Sequence, residues 1–394
     1  MNEVQALVLD GHLPSALACV RSLSKQNIKV VCGAERKSAM ALHSRYATEA
    51  WVYPSPLEDA EAYVQAIIKK LSTIGDRPVI YCLSDNTLLP LAKHRDQVEA
   101  VGRLVLPEEN NFNIAFDKAL TLKMAERLGV SIPQTFFIGS QEDLELALGQ
   151  VAYPCIIKPR QSCLWVSGKG IRGKTEVADN REQAKEIVER IKNKTNIWPL
   201  LQARLTGQEY GVFGLWQNGE WQVKFAHQRL RSLDPMGGAS CLRQSIAMPP
   251  DMADFASKLI SELKWQGPAM VEFKLDKPNG TPKLMEINGR FWGSLALAIA
   301  SNVDFPYLAY LQACGQPIEV SDQYKVPVTA RSFLADFANL LNVMKLGTKV
   351  GVSRLSALRS FIFPNQLNLV YDVESWEDLK PAFWQVIDAV ARKI

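Results

Sequence analysis

The segments 269–276 (AMVEFKLD) and 282–288 (PKLMEIN) constrain this chain more than any others. Each alternates apolar with polar side chains, and a Pro-Asn-Gly sequence separates them, so they predict two antiparallel strands joined by a turn. Period-two geometry puts Glu286 and Asn288 on one strand face, and pairing brings Glu272 beside them. Two carboxylates and an amide oxygen are hard ligands suited to Mg²⁺, which retains waters and bridges substrate phosphates. The same alternation also describes the solvent face of an ordinary sheet. Arg290, two positions beyond Asn288, fits either a bound phosphate or a structural pair with a carboxylate.

A second group of residues is basic. Lys118 begins the helix-like stretch DKALTLKMAERLGVSIP, in which Leu120, Met124 and Leu128 share a face and Gly129 and Pro133 mark the end. Lys158 ends the apolar run CIIK, and the segment 167–174 (SGKGIRGK) then supplies Ser167, Gly168, Lys169, Gly170, Arg172, Gly173 and Lys174. Glycines let backbone amides approach oxygen atoms and the cations offset polyphosphate charge, a combination that favours a triphosphate. The segment is not GxxxxGK[ST], so it gives no support to a P-loop enzyme, and by itself it also reads as a basic surface turn.

Around these groups the chain reads as α/β and α+β. Residues 1–112 carry short buried strands at 4–9, 28–32 and 79–83 separated by helical patterns, the mark of a small parallel-sheet domain. Its loop at Gly11, His12 and Pro14 lacks the full GxGxxG fingerprint. Residues 113–316 form the central unit, with a glycine-loop subdomain at about 134–204, strands in WPLLQARL, EYGVFGLW and EWQVKFAHQRL, and a long helix expected over 294–313. Asn-Gly in NGEW signals a hairpin. Residues 317–394 read as a small α+β unit, with strand-like FIFPN and LNLVYDV and a final helix whose Phe383, Val386, Ile387 and Val390 form an apolar face. Trp376 and Trp384 are expected in that unit's core or at a subunit contact.

The order of these motifs resembles the ATP-grasp superfamily, in its carboxylate–amine ligase and carbamoyl-phosphate-synthase-like branch. The likeness extends from Lys118 to about Ser294, through CIIKP, the glycine loop, LQARLTGQE, VEFKLD and MEINGRFWGSL. It implies an ATP-grasp fold preceded by an N-terminal α/β pre-ATP-grasp domain and followed by the small C-terminal unit. It gives Lys118 and Lys158 phosphate-binding roles and makes the loop around Ser167, Gly168, Lys169 and Gly170 a flap over the nucleotide. Gln202, Ala203 and Leu205 become the hinge that meets adenine, Glu209 the ribose contact, and Glu272, Glu286 and Asn288 the metal ligands. Arg290 matches the arginine near the transferred phosphate. Gln202 stands where an acidic residue is common, Gly289 replaces a proline, and QSCLWV looks like an insertion before the glycine loop.

The resemblance implies ATP and Mg²⁺, with Mn²⁺ as an alternative ion, and in-line transfer of a phosphoryl group to a small-molecule carboxylate. An amine, or a thiol, would then attack the acyl phosphate. A nucleotide-responsive binding protein and a phosphotransferase or carboxylase-like enzyme are the competing readings. On the substrate side, His227, Arg229 and Arg231 alternate as on a strand, and Gly237, Gly238, Ala239 and Ser240 are expected to form an amide-lined turn. Arg231 fits a carboxylate clamp or a surface salt bridge, and His227 a general base or a packed histidine.

Seven scattered cysteines form no CxxC pair, so neither a disulfide framework nor a thiolate zinc site is indicated, and a reducing, cytoplasmic setting is expected. The formal charge of +4 is too mild to imply nucleic acid, and no apolar run reaches the length of a membrane span, so neither nucleic acid nor membrane is an expected partner. A homodimer is among the assemblies that the resemblance allows.

Overall fold

The computed structural model describes residues 5–166, 168–234, 237–276, 280–319, 323–347, 352–364 and 368–391. Alternating apolar runs and helical patterns at the start fold as β1 (Ala6–Val8), α1 (Pro14–Lys25), β2 (Val30–Ala34), β3 (Glu49–Val52), α2 (Ala60–Leu71) and β4 (Val79–Tyr81). The four strands pair in parallel in the order β3-β2-β1-β4. At the C-terminal end of β4, Ser84 caps α3 (Asp85–Lys93) by accepting from Thr87 N. Then α4 (Arg95–Val101) and α5 (Glu109–Phe116) lead into α6 (Lys118–Arg127). α6 buries Ala119, Leu122 and Met124, whereas Leu120, expected on the buried face, is exposed.

The next lobe contains β5 (Thr135–Phe137), α7 (Gln141–Gln150), β6 (Cys155–Lys158), β7 (Cys163–Val166), β8 (Lys169–Arg172), β9 (Glu176–Ala178), α8 (Arg181–Thr195) and β10 (Leu200–Ala203). Its antiparallel sheet runs β5-β10-β6-β9, and Leu144, Leu148, Ile157 and Val188 form a core of its own. β7 and β8 form a separate hairpin beside that sheet. The glycine segment therefore continues from a turn into a strand.

The remaining strands build one large sheet. They are β11 (Gln208–Gln217), β12 (Glu220–Asp234), β13 (Gly237–Ser245), then, after α9 (Pro250–Glu262), β14 (Gly267–Leu275) and β15 (Lys283–Asn288). The β11–β12 turn holds Asn218 and Gly219 at φ of 53° and 80°, the conformation for which Asn-Gly is suited. The Pro-Asn-Gly turn between β14 and β15 falls largely outside the described residues. After α10 (Leu295–Ala300) and α11 (Phe305–Ala313), the chain adds β16 (Thr329–Arg331), α12 (Phe333–Leu346), α13 (Arg354–Ile362), β17 (Leu369–Tyr371) and α14 (Lys380–Ala391). β16 and β17 extend the sheet, which runs β15-β14-β11-β12-β13-β16-β17.

Three expectations for the second half are corrected. The helix over 294–313 is broken, because Asn302 takes φ of 71° and Asp304 starts a new helix by accepting from Tyr307 N. Phe361 and Ile362, from the strand-like FIFPN, end α13. The face of α14 carrying Phe383, Val386 and Val390 is exposed, and Trp376 is 93% exposed rather than buried in a core. α14 docks on the N-terminal domain through polar contacts: Asp388 accepts from Ser38 Oγ at 2.7 Å and from Arg36, and Trp384 stacks on His43 at 3.8 Å.

Candidate active site

Strand register assembles the acidic cluster. Gly211 of β11 lies opposite His227 of β12 and Glu272 of β14, and Glu272 lies opposite Glu286 of β15. Asn288 Nδ2 donates to Glu286 Oε1 at 3.1 Å. Glu272, Glu286 and Asn288 are therefore neighbours, as the hairpin alternation requires.

The start of α6 and the end of β6 are fastened to each other above this cluster. Asp117 caps α6 by accepting from Ala119 N and Leu120 N, and it also accepts from Arg160 Nε at 3.0 Å and Nη2 at 2.5 Å. Lys118 N donates to Arg160 O at 2.8 Å. Lys118 Nζ, held by Ser162 Oγ at 3.0 Å, comes within 3.4 Å of Glu286 Oε2. Lys158 is buried at the end of β6, where loss of solvent lowers its ammonium pKa and the Glu286 charge opposes the shift.

The two carboxyls experience opposite balances. Burial pushes Glu286 up, but Lys118, Lys158, Asn288 and Arg290 outweigh it and hold the group below the ordinary carboxylate range. Burial also pushes Glu272 up; Arg229 offsets part of this, while Glu286 and Glu209 repel the charge, so its proton is held more tightly. Among the described residues no group of three or more His, Cys, Asp or Glu converges on one point, and the set available to a metal is these two carboxylates and the amide.

Arg290 is tied to the N-terminal domain. Its Nε donates to Asp85 Oδ1 at 2.5 Å, and its Nη2 donates to Asn288 Oδ1 at 3.2 Å. Asp85, in the first turn of α3, is a site residue that no local pattern marks. Glu209 accepts from Lys274 Nζ at 3.0 Å and from Arg229, whose Nη2 lies 3.6 Å from Glu272. Arg229 thus bridges two acids, and its Nη1 also donates to Gly238 O at 2.8 Å.

In the segment expected to be the hinge, Gln202 is buried and donates to Thr135 Oγ1 at 2.8 Å, but its Oε1 has no partner, leaving a buried acceptor. Ala203 N donates to Gln134 O at 2.8 Å. Leu205 and Glu209 line a cavity of about 430 Å³ that reaches Arg229 and Lys274.

The expected substrate strand is irregular, and the glycine segment extends into a hairpin. His227 is buried, stacked on Phe213, and its Nε2 lies 3.1 Å from Ser294 Oγ, so it packs in the sheet. A bulge between Arg229 and Arg231 breaks the alternation, and Arg231 pairs with buried Asp336 at 3.0 Å. Gly238 and Ser240 lie within β13 rather than in a turn, and Ser240 Oγ donates to Leu242 O of its own strand. Ser167 lies outside the described residues. Gly168 turns the β7–β8 hairpin, and Lys169 and Gly170 begin β8, where Gly170 N donates to Leu57 O at 2.8 Å of the N-terminal domain.

A family model described as ATP-grasp in the biosynthetic pathway with Ter operon matches residues 198–333, from β10 through β16. The chain has the ATP-grasp fold, and the family match falls within it. The ATP-grasp architecture is shared with L-amino acid ligase from Bacillus licheniformis, which is 20% identical, with a TM-score of 0.59 and coverage of 81% of this chain and 76% of that one. It is shared too with the biotin carboxylase domain of 2-oxoglutarate carboxylase from Hydrogenobacter thermophilus, 14% identical with a TM-score of 0.64, covering 84% of this chain and 74% of that one; that structure was solved with MgADP, ADP and bicarbonate. The carbamoyl phosphate synthase large chain of Methanocorpusculum labreanum is 29% identical over 197 residues, which make up 46% of this chain and 17% of that synthase.

Proposed function

We propose that this ATP-grasp protein is an enzyme that activates a small-molecule carboxylate with ATP and ligates it to an amine, giving ADP and phosphate. The observation that carries this reading is the network of contacts and charges that links Lys118, Lys158 and Arg290 with Glu286, Asn288 and Glu272. Cations sit where polyphosphate charge needs offsetting, and hard oxygen ligands sit beside them.

Glu272, Glu286 and Asn288 would hold Mg²⁺, or Mn²⁺, which when bound would offset charge on phosphate oxygens. The free Oε1 of Gln202 is available to the adenine amino group, and Glu209 to ribose hydroxyls. Lys118 and Lys158 attract the phosphates. Arg290, by leaving Asp85, stabilises charge on the phosphoryl group as the carboxylate oxygen attacks phosphorus and the bond to ADP breaks. The amine then attacks the acyl carbonyl, expelling phosphate and giving up a proton. The β7–β8 hairpin serves as the flap that keeps water from the acyl phosphate.

The test is Mg²⁺-dependent release of ADP and phosphate with pooled carboxylates and pooled amines, with mass detection of condensation products. An amide formed with one ADP per product supports the ligase. ADP release without an amide would favour the carboxylase-like or phosphotransferase reading, and saturable ATP binding without turnover would favour a nucleotide-responsive binding protein.

A further inference from the structure

α12 buries Leu340 and Val343 with Ala357 of α13, yet both helices also leave large apolar side chains exposed. The side of α12 that meets the large sheet carries Asp336 and Asn339: Asp336 is fully buried between Arg231 and Arg331, at 3.0 and 2.7 Å, and Asn339 Nδ2 donates to Ser232 O at 2.7 Å. The outward side carries Phe337 and Leu341, both exposed. α13 buries only Ala357 of its nine residues, while Leu355 is 78% exposed and Phe363, just beyond its end, is 70% exposed. Polar groups commonly face water and apolar groups the core. Here a small apolar core, buried ion pairs and hydrogen bonds together hold the helical hairpin, and further apolar side chains point outward.

The charge of this hairpin selects the partner. Between Asp336 and Asp372 the sequence contains four basic residues and no acidic one. Lys345, Arg354 and Arg359 are exposed on the same two helices. A symmetric contact between two copies through this face would set the same cations against each other. An anionic lipid surface complements both features, taking the apolar side chains into its interfacial region and the cations among its headgroups. We infer that the α12–α13 hairpin attaches the protein peripherally to an anionic lipid surface. Such attachment needs no spanning segment, and no helix among the described residues is long and apolar enough to cross a membrane. The absence of a long apolar run, from which no membrane partner was expected, does not bear on it.

The test is co-sedimentation of the full chain with vesicles of phosphatidylcholine alone or mixed with phosphatidylglycerol, at low and high salt. Sedimentation with the mixed vesicles only, reversed by salt, is expected. The exposed double variant Arg354→Glu/Arg359→Glu is expected to lower partitioning at least about thirtyfold, from loss of two basic groups at the surface, and Leu355→Ser/Phe363→Ser to abolish it. Circular dichroism checks that both variants remain folded. Failure to sediment, equal binding to neutral vesicles, or binding unchanged in both variants would overturn the inference. A dimer in the absence of lipid that is lost in Leu355→Ser/Phe363→Ser would assign the face to a second copy instead. None of these readings depends on nucleotide turnover.

Discussion

His227 Nε2 meets Ser294 Oγ, its ring stacks on Phe213, and its Nδ1 is buried without a partner. Burial, with Arg229 and Arg243 adding repulsion, lowers its pKa from 6.5 to about 3. The unfolded chain therefore takes up a proton below pH 6.5 that the folded chain refuses until about 3. The stabilising contribution of this group is complete above pH 6.5 and is lost as the pH falls through that window. His227→Gln is expected to flatten the fall of the melting temperature between these limits, measured by scanning calorimetry; an unchanged slope would place the acid sensitivity elsewhere. Glu286 offers a contrasting case, because its neighbours are cations. Glu286→Gln is expected to remain folded but to lose at least about a hundredfold in Mg²⁺-dependent ADP release, and equal turnover in the variant would remove Glu286 from the site. Period-two alternation made Glu272, Glu286 and Asn288 legible in the sequence, since adjacent strands translate alternation into proximity. Asp85 was not legible: it reaches Arg290 across 205 residues, and no local spacing records such a contact.

At the scale of elements, alternation fails where a strand does not stay regular. His227, Arg229 and Arg231 read as one face, yet the bulge in β12 turns Arg231 toward Asp336 and α12. The glycine segment shows a related limit. Its composition announced a backbone able to approach another group closely, but not that the neighbour would be protein. Trp165, in the insertion-like QSCLWV stretch, donates from Nε1 to Pro56 O at 2.8 Å, and Gly170 N donates to Leu57 O. A Cβ at Gly170 would fall 2.3 Å from Leu57 Cδ2 and 3.0 Å from Leu57 Cα, so glycine is required for this contact. Gly170→Ala is expected to loosen the β7–β8 hairpin from the N-terminal domain, read as faster amide exchange in β7 and β8 with β6 and β10 unchanged. Leu57→Ala should restore part of the protection in the double variant, because the nearer clash disappears. Independent effects of the two substitutions would mean that the hairpin does not depend on this contact.

The whole molecule is closed by its C-terminal segment. The expected parallel N-terminal sheet and the strands of the large sheet followed from local patterns, whereas the return of the chain to its beginning depends on polar contacts between distant residues. Asp378 accepts from Arg21 Nε at 3.0 Å, Ser44 Oγ at 2.7 Å and Arg45 N at 3.0 Å. At the far edge of the large sheet, Asp372 pairs with the buried Arg243 of β13. The N-terminal and large-sheet cores also share contacts: residues of β1 and α1 belong to the same buried cluster as Phe213, Phe225 and Trp292, while the α7–α8 lobe has a separate core. Loosening the C-terminal clasp should thus weaken the N-terminal domain and the large sheet together, and leave the α7–α8 lobe less affected. Asp378→Ala removes the acceptor of a buried pair and leaves the Arg21 guanidinium without its carboxylate, at a cost of about 3–5 kcal/mol. Chemical denaturation followed by tryptophan fluorescence should show the unfolding free energy lowered by that amount, and amide exchange should rise in β1, β2 and β11 before β6 and β10. Equal loss of protection in all five strands would mean that the α7–α8 lobe unfolds with the rest, and no loss in β11 would mean that the clasp supports the N-terminal domain alone.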